Sequence, residues 1–236
     1  MAILEVRDIT SGYGEVQILW GTNMKLEEGK LTCLVGGNGA GKTTTLRSVM
    51  GLLKPWSGSI WFQGKDVSHM PAYAKADLGL VLVPEGRQLF TDMSVYENLE
   101  MGASNQRARG NVKKNLEKVY GMFPRLLERS TQKAGTLSGG EQQMLAVARG
   151  IMAEPIVLMI DELSLGLAPV LVIQLFESLR VLRDMGLTIM LVEQNVQMAL
   201  AISDYGYVLA EGKSGIEGPA RQLIKNQDVR EAYLGL

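Results

Sequence analysis

The chain has 236 residues, 46% of them hydrophobic, enough to bury a substantial core as one domain with room for an inserted subdomain. A formal net charge of −1 excludes the broad basic footprint of a general nucleic-acid binder. Cys33 is the sole cysteine, so no internal disulfide can form; it reads as a small core hydrophobe in a reducing compartment. No apolar window is long enough to cross a bilayer, and Met1 to Asp8 lack the order of a secretory signal. The chain is therefore expected to be soluble inside the cell, any membrane role coming through a partner.

Apolar and polar residues alternate from Ile3 to Ile9, which predicts a half-buried strand broken by Gly12-Tyr13-Gly14. A second strand over Gln17 to Leu26 ends at the turn signal Glu27-Glu28-Gly29-Lys30, giving an antiparallel start. Leu31 to Val35 then opens a different, buried sheet. Directly after it comes Gly36-Gly37-Asn38-Gly39-Ala40-Gly41-Lys42-Thr43, followed by Thr44 and a stretch that continues as a helix to about Gly51. Strand, glycine loop and helix in that order turn a G-x-x-x-x-G-K-[ST] pattern into a phosphate site. The glycines let successive N–H groups face inward, and the helix N-terminus adds partial positive charge. Lys42 is placed to reach the β and γ phosphates and the Thr43 hydroxyl to reach Mg²⁺. The alternative is a glycine-rich turn that binds nothing, and the lysine and hydroxyl at the helix start speak against it.

Pro55 to Gly58 predicts a turn and Ser59 to Phe62 a short strand, whereas Lys65 to Ala76 is polar and at most helical. It contains His69, the one histidine, expected at the surface. Leu78 to Val83 reads as a buried strand stopped by Pro84-Glu85-Gly86-Arg87. Ser94 and Glu97 have capping-box spacing, and Ala103 to Ala134 is charged and helical in pattern. Residues 85–153 are taken as a mainly helical subdomain set into an α/β core formed by 1–84 and 154–236.

Leu137-Ser138-Gly139-Gly140-Glu141-Gln142 repeats the capping-box spacing at Ser138 and Glu141. A cap does not account for two glycines in a first helical turn, each costing about 0.5–1 kcal/mol relative to alanine. Bare backbone there admits close approach, and an anion at the helix N-terminus is the natural visitor. Ile156 to Ile160 predicts a central strand with Asp161-Glu162 at its carboxyl end, the edge where open α/β sheets bind ligands. Two acids there are either a solvated strand end or, beside a phosphate loop, an Mg²⁺ ligand and a residue that orients or deprotonates water. Pro169 to Asp184 is helical in period, Leu187 to Val192 is another buried strand ending at Glu193-Gln194-Asn195, and Ala220 to Tyr233 is a last amphipathic segment.

These motifs together resemble an ATP-binding cassette ATPase over essentially the whole chain. The glycine loop is similar to Walker A, LSGGEQ at 137–142 to the family signature, and Ile156 to Glu162 to Walker B with its catalytic glutamate. The resemblance implies a P-loop NTPase fold with a mostly parallel central sheet, an N-terminal antiparallel β subdomain and an inserted α-helical subdomain. It implies ATP as substrate with Mg²⁺ held by Thr43, Asp161 and Glu85, and an adenine stacked on Tyr13; packing at a strand end is the other reading of that ring. Nucleotide contacts are implied for Gly36 to Thr44. Ser138, Gly139, Gly140 and Glu141 face the nucleotide of a second ATPase subunit, and Glu162, Lys42 and Gln194 carry catalysis.

Several residues depart from the usual family pattern. Glu85 stands in place of a glutamine that couples to the membrane domain, Gln194 in place of a histidine at the γ-phosphate, and Gly166 in place of an aspartate. With Glu162, Ser164 to Pro169 and Val229 to Gly235, they resemble the second ATPase subunit of branched-chain amino-acid importers, whose relatives serve urea and short amides. Leu163, where that branch has proline, and Gly37 depart from the branch. The resemblance implies a second ATPase chain, two transmembrane permeases, a periplasmic solute-binding protein and a place on the inner face of the plasma membrane. It implies no nucleic-acid partner. A soluble cassette ATPase of repair or translation, a small-molecule phosphotransferase and a hydrolysis-dead regulator are the competing classes; LSGGEQ opposes the phosphotransferase.

Overall fold

The computed structural model describes residues 2–234. Two strands, β1 (Ala2–Tyr13) and β2 (Val16–Glu27), pair antiparallel and are extended by β4 (Ser57–Phe62) and the two-residue β5 (Lys65–Asp66) into a sheet ordered β2-β1-β4-β5. The alternation read at Ile3 to Ile9 is its cause, since Ile3, Leu4, Val6 and Ile9 turn inward. β1 runs through Gly12 and Tyr13, and the chain reverses at Gly14-Glu15.

The second sheet is ordered β10-β9-β3-β8-β7-β6. It comprises β3 (Leu31–Val35), β6 (Leu80–Val83), β7 (Val157–Asp161), β8 (Thr188–Glu193), β9 (Tyr205–Ala210) and β10 (Lys213–Pro219). All but β10 run parallel. Every residue of β3, β7 and β8 is buried, which is why these strands read as continuous apolar runs. One side of this sheet packs against α1 (Lys42–Met50) and the antiparallel sheet; the other packs against helices.

Several predicted boundaries shift. Leu78 ends α2 (Ala72–Leu78), which begins after Pro71; Gly79 (φ 101°) caps it in the left-handed region and β6 starts only at Leu80. The stretch from Lys65 to Ala76 is thus divided between β5, a turn and α2. Ser57 and Gly58, expected in a turn, begin β4, where Ser57 pairs with Thr10. β8 reaches Glu193. The segment from Ala220 onward is broken into short turns, Ala220–Leu223, Gln227–Val229 and Arg230–Leu234, rather than one amphipathic run. Gly235 of the terminal motif lies outside the described residues. Cys33 is fully buried and His69 is exposed, as read.

Between β6 and β7 the chain is helical: α3 (Val95–Gly102), α4 (Val112–Met122), α5 (Pro124–Glu128) and α6 (Gly139–Met152). Capping boxes at Ser94/Glu97 and Ser138/Glu141 both form, fixing where α3 and α6 start. Then α7 (Pro169–Asp184) follows β7 with Leu175, Leu179 and Leu182 buried, and α8 (Val196–Ile202) follows β8.

Candidate functional site

Parallel pairing decides which loops meet. Val35 is opposite Glu193, and Asp161 opposite Val192, so the carboxyl ends of β3, β8 and β7 finish level with one another. β6 ends beside β7, with Val83 opposite Ile160. The glycine loop, Gln194, the Asp161-Glu162 pair and Glu85 therefore lie in that order along one edge, although they are scattered over some 160 residues of sequence.

The loop from Gly36 to Gly41 leads into α1, whose first residue is Lys42. Gly41 is in the left-handed region (φ 102°), and a Cβ there would lie 2.8 Å from Leu19 Cδ2. Gly37, by contrast, has open space around it and no positive φ, so this position does not demand glycine. Lys42 is 5% exposed and its Nζ donates to the carbonyls of Gly36 and Gly37, each at 3.0 Å. The ammonium is 4.0 Å from Glu162 Oε1. A cavity of about 180 Å³ is lined by Ile18, Asn38, Gly39, Gly41, Lys42, Thr43, Thr44 and Glu162. Ala40 closes the loop, its N–H bonding Gly37 O at 3.2 Å.

Asp161 is 3% exposed, and its Oδ1 has no hydrogen-bond partner among the described residues. Burial pushes its carboxyl up to about 6; the Thr43 hydroxyl opposes that, while the charges of Glu162 and Glu85 add to it. A buried carboxylate oxygen without a donor is costly, and a cation beside Thr43 would relieve it. Mg²⁺ is held by one or two side chains together with phosphate oxygens, which this donor set fits. Glu162 itself adopts φ 49° while its N–H bonds Val192 O at 2.9 Å. Such a left-handed non-glycine residue is uncommon and is held here by that bond to β8 at the end of the paired strand. Leu163, which stands where proline was anticipated, is fully buried in the core and faces away from the loop chemistry.

Tyr13 is 43% exposed and its hydroxyl accepts from Arg47 Nη1 at 3.1 Å. Glu85, exposed, lines with Tyr13 and Asp161 a larger cavity of about 680 Å³. Gln194 is exposed and lines a cavity of about 430 Å³ with Glu162, Ser164 and Gly166.

The signature segment forms the N-terminal end of α6, with Ser138 as its cap and Gly139 as its first residue. Ser138 Oγ donates to Glu141 Oε2 at 2.7 Å, and Glu141 also pairs with Arg129 Nε at 2.7 Å. Burial pushes the Glu141 carboxyl up, but the Ser138 bonds and the charges of Arg129 and Arg125 outweigh it and hold it below its ordinary value. Here the structure adds a reason for the glycine pair that the spacing alone missed. A methyl at Gly140 would overlap Leu171 Cδ1 from α7, and one at Gly139 would come 3.3 Å from the Arg87 guanidinium. The close approach inferred at Gly140 is thus made within the chain.

Two groups escaped sequence reasoning. Arg87 follows Glu85 and bridges to α6, its Nη1 bonding Gln142 Oε1 at 2.8 Å and its Nε bonding Gln143 Oε1 at 3.2 Å. Glu193, 1% exposed, receives Ser164 N–H at 2.9 Å and Ser164 Oγ–H at 2.8 Å. A charged residue directly after the apolar run Ile189 to Val192 is the one signal that pointed to it.

A phosphate loop at the centre of a parallel sheet, with an acid pair one strand removed and a signature on a separate helix, defines an ATP-binding cassette. The chain belongs to the ABC transporter family, which it matches over residues 19–164. It is the ATP-binding subunit of such a transporter and an ATPase with a P-loop NTPase fold. Subunits of this kind work with transmembrane permease components. It is 40% identical to the high-affinity branched-chain amino acid transport ATP-binding protein BraG of Pseudomonas aeruginosa, over 99% of this chain and 100% of that one. It is 35% identical to the probable branched-chain amino acid transport ATP-binding protein LivF of Archaeoglobus fulgidus, over 99% of each. A solved nucleotide-free ATP-binding cassette from an ABC transporter matches it with a TM-score of 0.86 at 26% identity, over 100% of both chains. Among the described residues no helix is long and apolar enough to cross a membrane.

Proposed function

We propose that this chain hydrolyses MgATP as one half of an ATPase pair driving a membrane importer for branched-chain amino acids. The observation that supports hydrolysis best is the meeting of Lys42, Asp161 and Glu162 at one end of the phosphate loop, with Glu162 Oε1 4.0 Å from Lys42 Nζ. ATP binding exchanges the two carbonyls that now hold the Lys42 ammonium for phosphate oxygens, while the N–H groups of Gly39 and of Gly41 to Thr44 receive the anion and Ala40 keeps the loop closed. Thr43 and Asp161, with Glu85 beside them, hold Mg²⁺, whose chemistry when bound is to neutralise phosphate charge. Glu162 orients the attacking water and accepts its proton. Gln194 donates an amide hydrogen bond to the γ-phosphate, without the charge an imidazolium would bring. Tyr13 stacks on the adenine.

Ser138, Gly139, Gly140 and Glu141 serve the nucleotide of a second ATPase subunit, a reading supported by the bare backbone of the two glycines at the start of α6. ATP thus closes the pair, and hydrolysis reopens it. The helical subdomain over 85–153 passes this motion to two permeases on the inner face of the plasma membrane, which receive solute from a periplasmic binding protein. Support for the substrate comes from the likeness to BraG and LivF and from the residues shared with that branch.

Phosphate release by the purified chain, alone and reconstituted with its permeases and second ATPase, tests the enzymatic half; stimulation by the partners is expected. Uptake of labelled leucine, urea and acetamide into vesicles tests the cargo. Uptake of urea or acetamide without leucine would transfer the protein to the amide branch.

A further inference from the structure

Glu193 is a buried carboxylate that the proposed mechanism does not use. It closes β8, one residue before Gln194, and both of its oxygens are engaged by one residue of the neighbouring loop: Oε1 by the Ser164 N–H at 2.9 Å and Oε2 by the Ser164 hydroxyl at 2.8 Å. Ser164 lies two residues beyond Glu162. Beyond it the loop turns outward: Leu165 is 54% exposed, a Cβ at Gly166 (φ 69°) would meet nothing, and among the described residues the Ser164 carbonyl accepts only the Leu167 N–H at 3.3 Å within the same turn. Leu163 anchors one side of Ser164 in the core, and the Glu193 carboxylate anchors the other.

A simple structural account of this pair is unattractive. Taking a carboxylate out of water is expensive, and two hydrogen bonds from one serine offset that cost only in part. Burial accordingly pushes the Glu193 carboxyl above its ordinary value, against the Ser164 bonds, with the Glu162 charge adding to the rise. Four apolar residues, Ile189 to Val192, precede it in β8, and one more at the end would complete the run without that penalty. What the carboxylate supplies is a fixed link between two loops that face the same cavity, since Glu162, Ser164, Glu193 and Gln194 all line it.

We infer that Glu193 is a positioning residue for hydrolysis: its grip on Ser164 ties the loop bearing Glu162 to the loop bearing Gln194, so that both groups meet the γ-phosphate as a unit. The inference rests on the roles proposed for Glu162 and Gln194. It requires that loosening the pair harm turnover and spare nucleotide binding, since neither side chain lines the cavity of the phosphate loop. A displacement on the order of 1 Å at the water-orienting group costs about 100-fold in rate.

The test compares Glu193→Ala, Ser164→Ala and Ser164→Thr in the reconstituted transporter, reading kcat, KM for ATP, ADP affinity of the purified subunit and its thermal midpoint. Glu193→Ala, which removes both acceptors, is expected to lower kcat 10- to 100-fold with KM and ADP affinity within twofold of the parent. Ser164→Ala, which keeps the N–H bond, should fall by about 10-fold, and Ser164→Thr, which restores the hydroxyl, should recover most of the loss. The double variant Glu193→Ala/Ser164→Ala should be no slower than Glu193→Ala alone, because without the carboxylate the Ser164 hydroxyl has nothing left to hold. Parental kcat in Ser164→Ala, or a loss of kcat matched by equal losses of ADP affinity and thermal midpoint, would overturn the inference. Glu162→Gln, run alongside, separates the two levels. If it is inactive while the Ser164 and Glu193 variants turn over normally, only this inference fails; if it hydrolyses at the parental rate, the underlying assignment fails with it.

Discussion

Replacing Asp161 by asparagine removes a carboxylate that is 3% exposed, carries an oxygen without a donor and has its proton affinity raised to about 6 from an ordinary 3.8. That rise is worth on the order of 3 kcal/mol against the ionised form. The sign follows from the direction. A raised pKa means the folded, metal-free chain holds the proton more tightly than the unfolded one, so this contribution to stability is present below about pH 4 and is lost as pH rises through 6. Mg²⁺ must displace the same proton, so its apparent affinity is expected to be level above pH 7 and to fall about tenfold by pH 5. Thermal unfolding of the chain with saturating ADP, titrated with Mg²⁺ between pH 5 and 8, reads this directly. The nucleotide's terminal phosphate titrates near pH 6 as well, and Asp161→Asn, which leaves that titration in place, isolates the protein's share. The variant should bind Mg²⁺ more weakly at pH 7.5 and show a shallower pH slope. Equal slopes in the two proteins would refute the assignment of Asp161 as the group that meets the metal.

Other outcomes follow from the same geometry. Glu162→Gln should retain ATP binding and lose 100-fold or more of phosphate release, trapping a closed pair visible as a dimer by light scattering; hydrolysis at the parental rate would remove Glu162 as the base. Gln194→His should leave nucleotide affinity intact and change kcat, and loss of affinity measured with a fluorescent ATP analogue would count against its role. Gly140→Ala should destabilise by about 1–3 kcal/mol because the methyl overlaps Leu171 Cδ1, and Leu171→Ala should restore much of that in denaturant melts if the clash is the cause. Lys75 is fully buried with its ammonium donating to Val49 O at 2.7 Å, and burial lowers its pKa to about 8. A depressed base binds its proton less well when folded, so stability should rise by up to about 3 kcal/mol from pH 8 towards 10.5, a rise that Lys75→Met should abolish.

Much of this molecule is legible in one dimension because its chemistry is local. The glycine loop needs strand, turn and helix in immediate succession, and backbone N–H groups that point inward come from residues 36–44 alone. Both capping boxes span only four residues, so Ser94 with Glu97 and Ser138 with Glu141 could be read as helix starts and are. Continuous apolar runs at β3, β7 and β8 announced buried parallel strands, and the acids at the end of β7 stood out against theirs.

Boundaries were less legible where two elements compete for the same residues. Leu78 is as apolar as the strand it precedes, yet the left-handed conformation at Gly79 gives it to α2. The glycines at 139 and 140 announced a close approach, but what approaches Gly140 is a leucine 31 positions later, a fact carried by the packing of α7 on α6. Residue order likewise identified Lys42, Asp161 and Glu162 as types suited to phosphate chemistry, without saying that Lys42 and Glu162 line one cavity beside the end of β7. Strand order decided that. Because β8 lies between β3 and β7, and their carboxyl ends are in register, Glu193 reaches Ser164 and Glu162 reaches Lys42 across sequence separations of 29 and 120 residues. Local hydrogen-bond geometry determines which motif can form; only the pairing of distant strands, set by which buried faces fit together, decides which motifs meet.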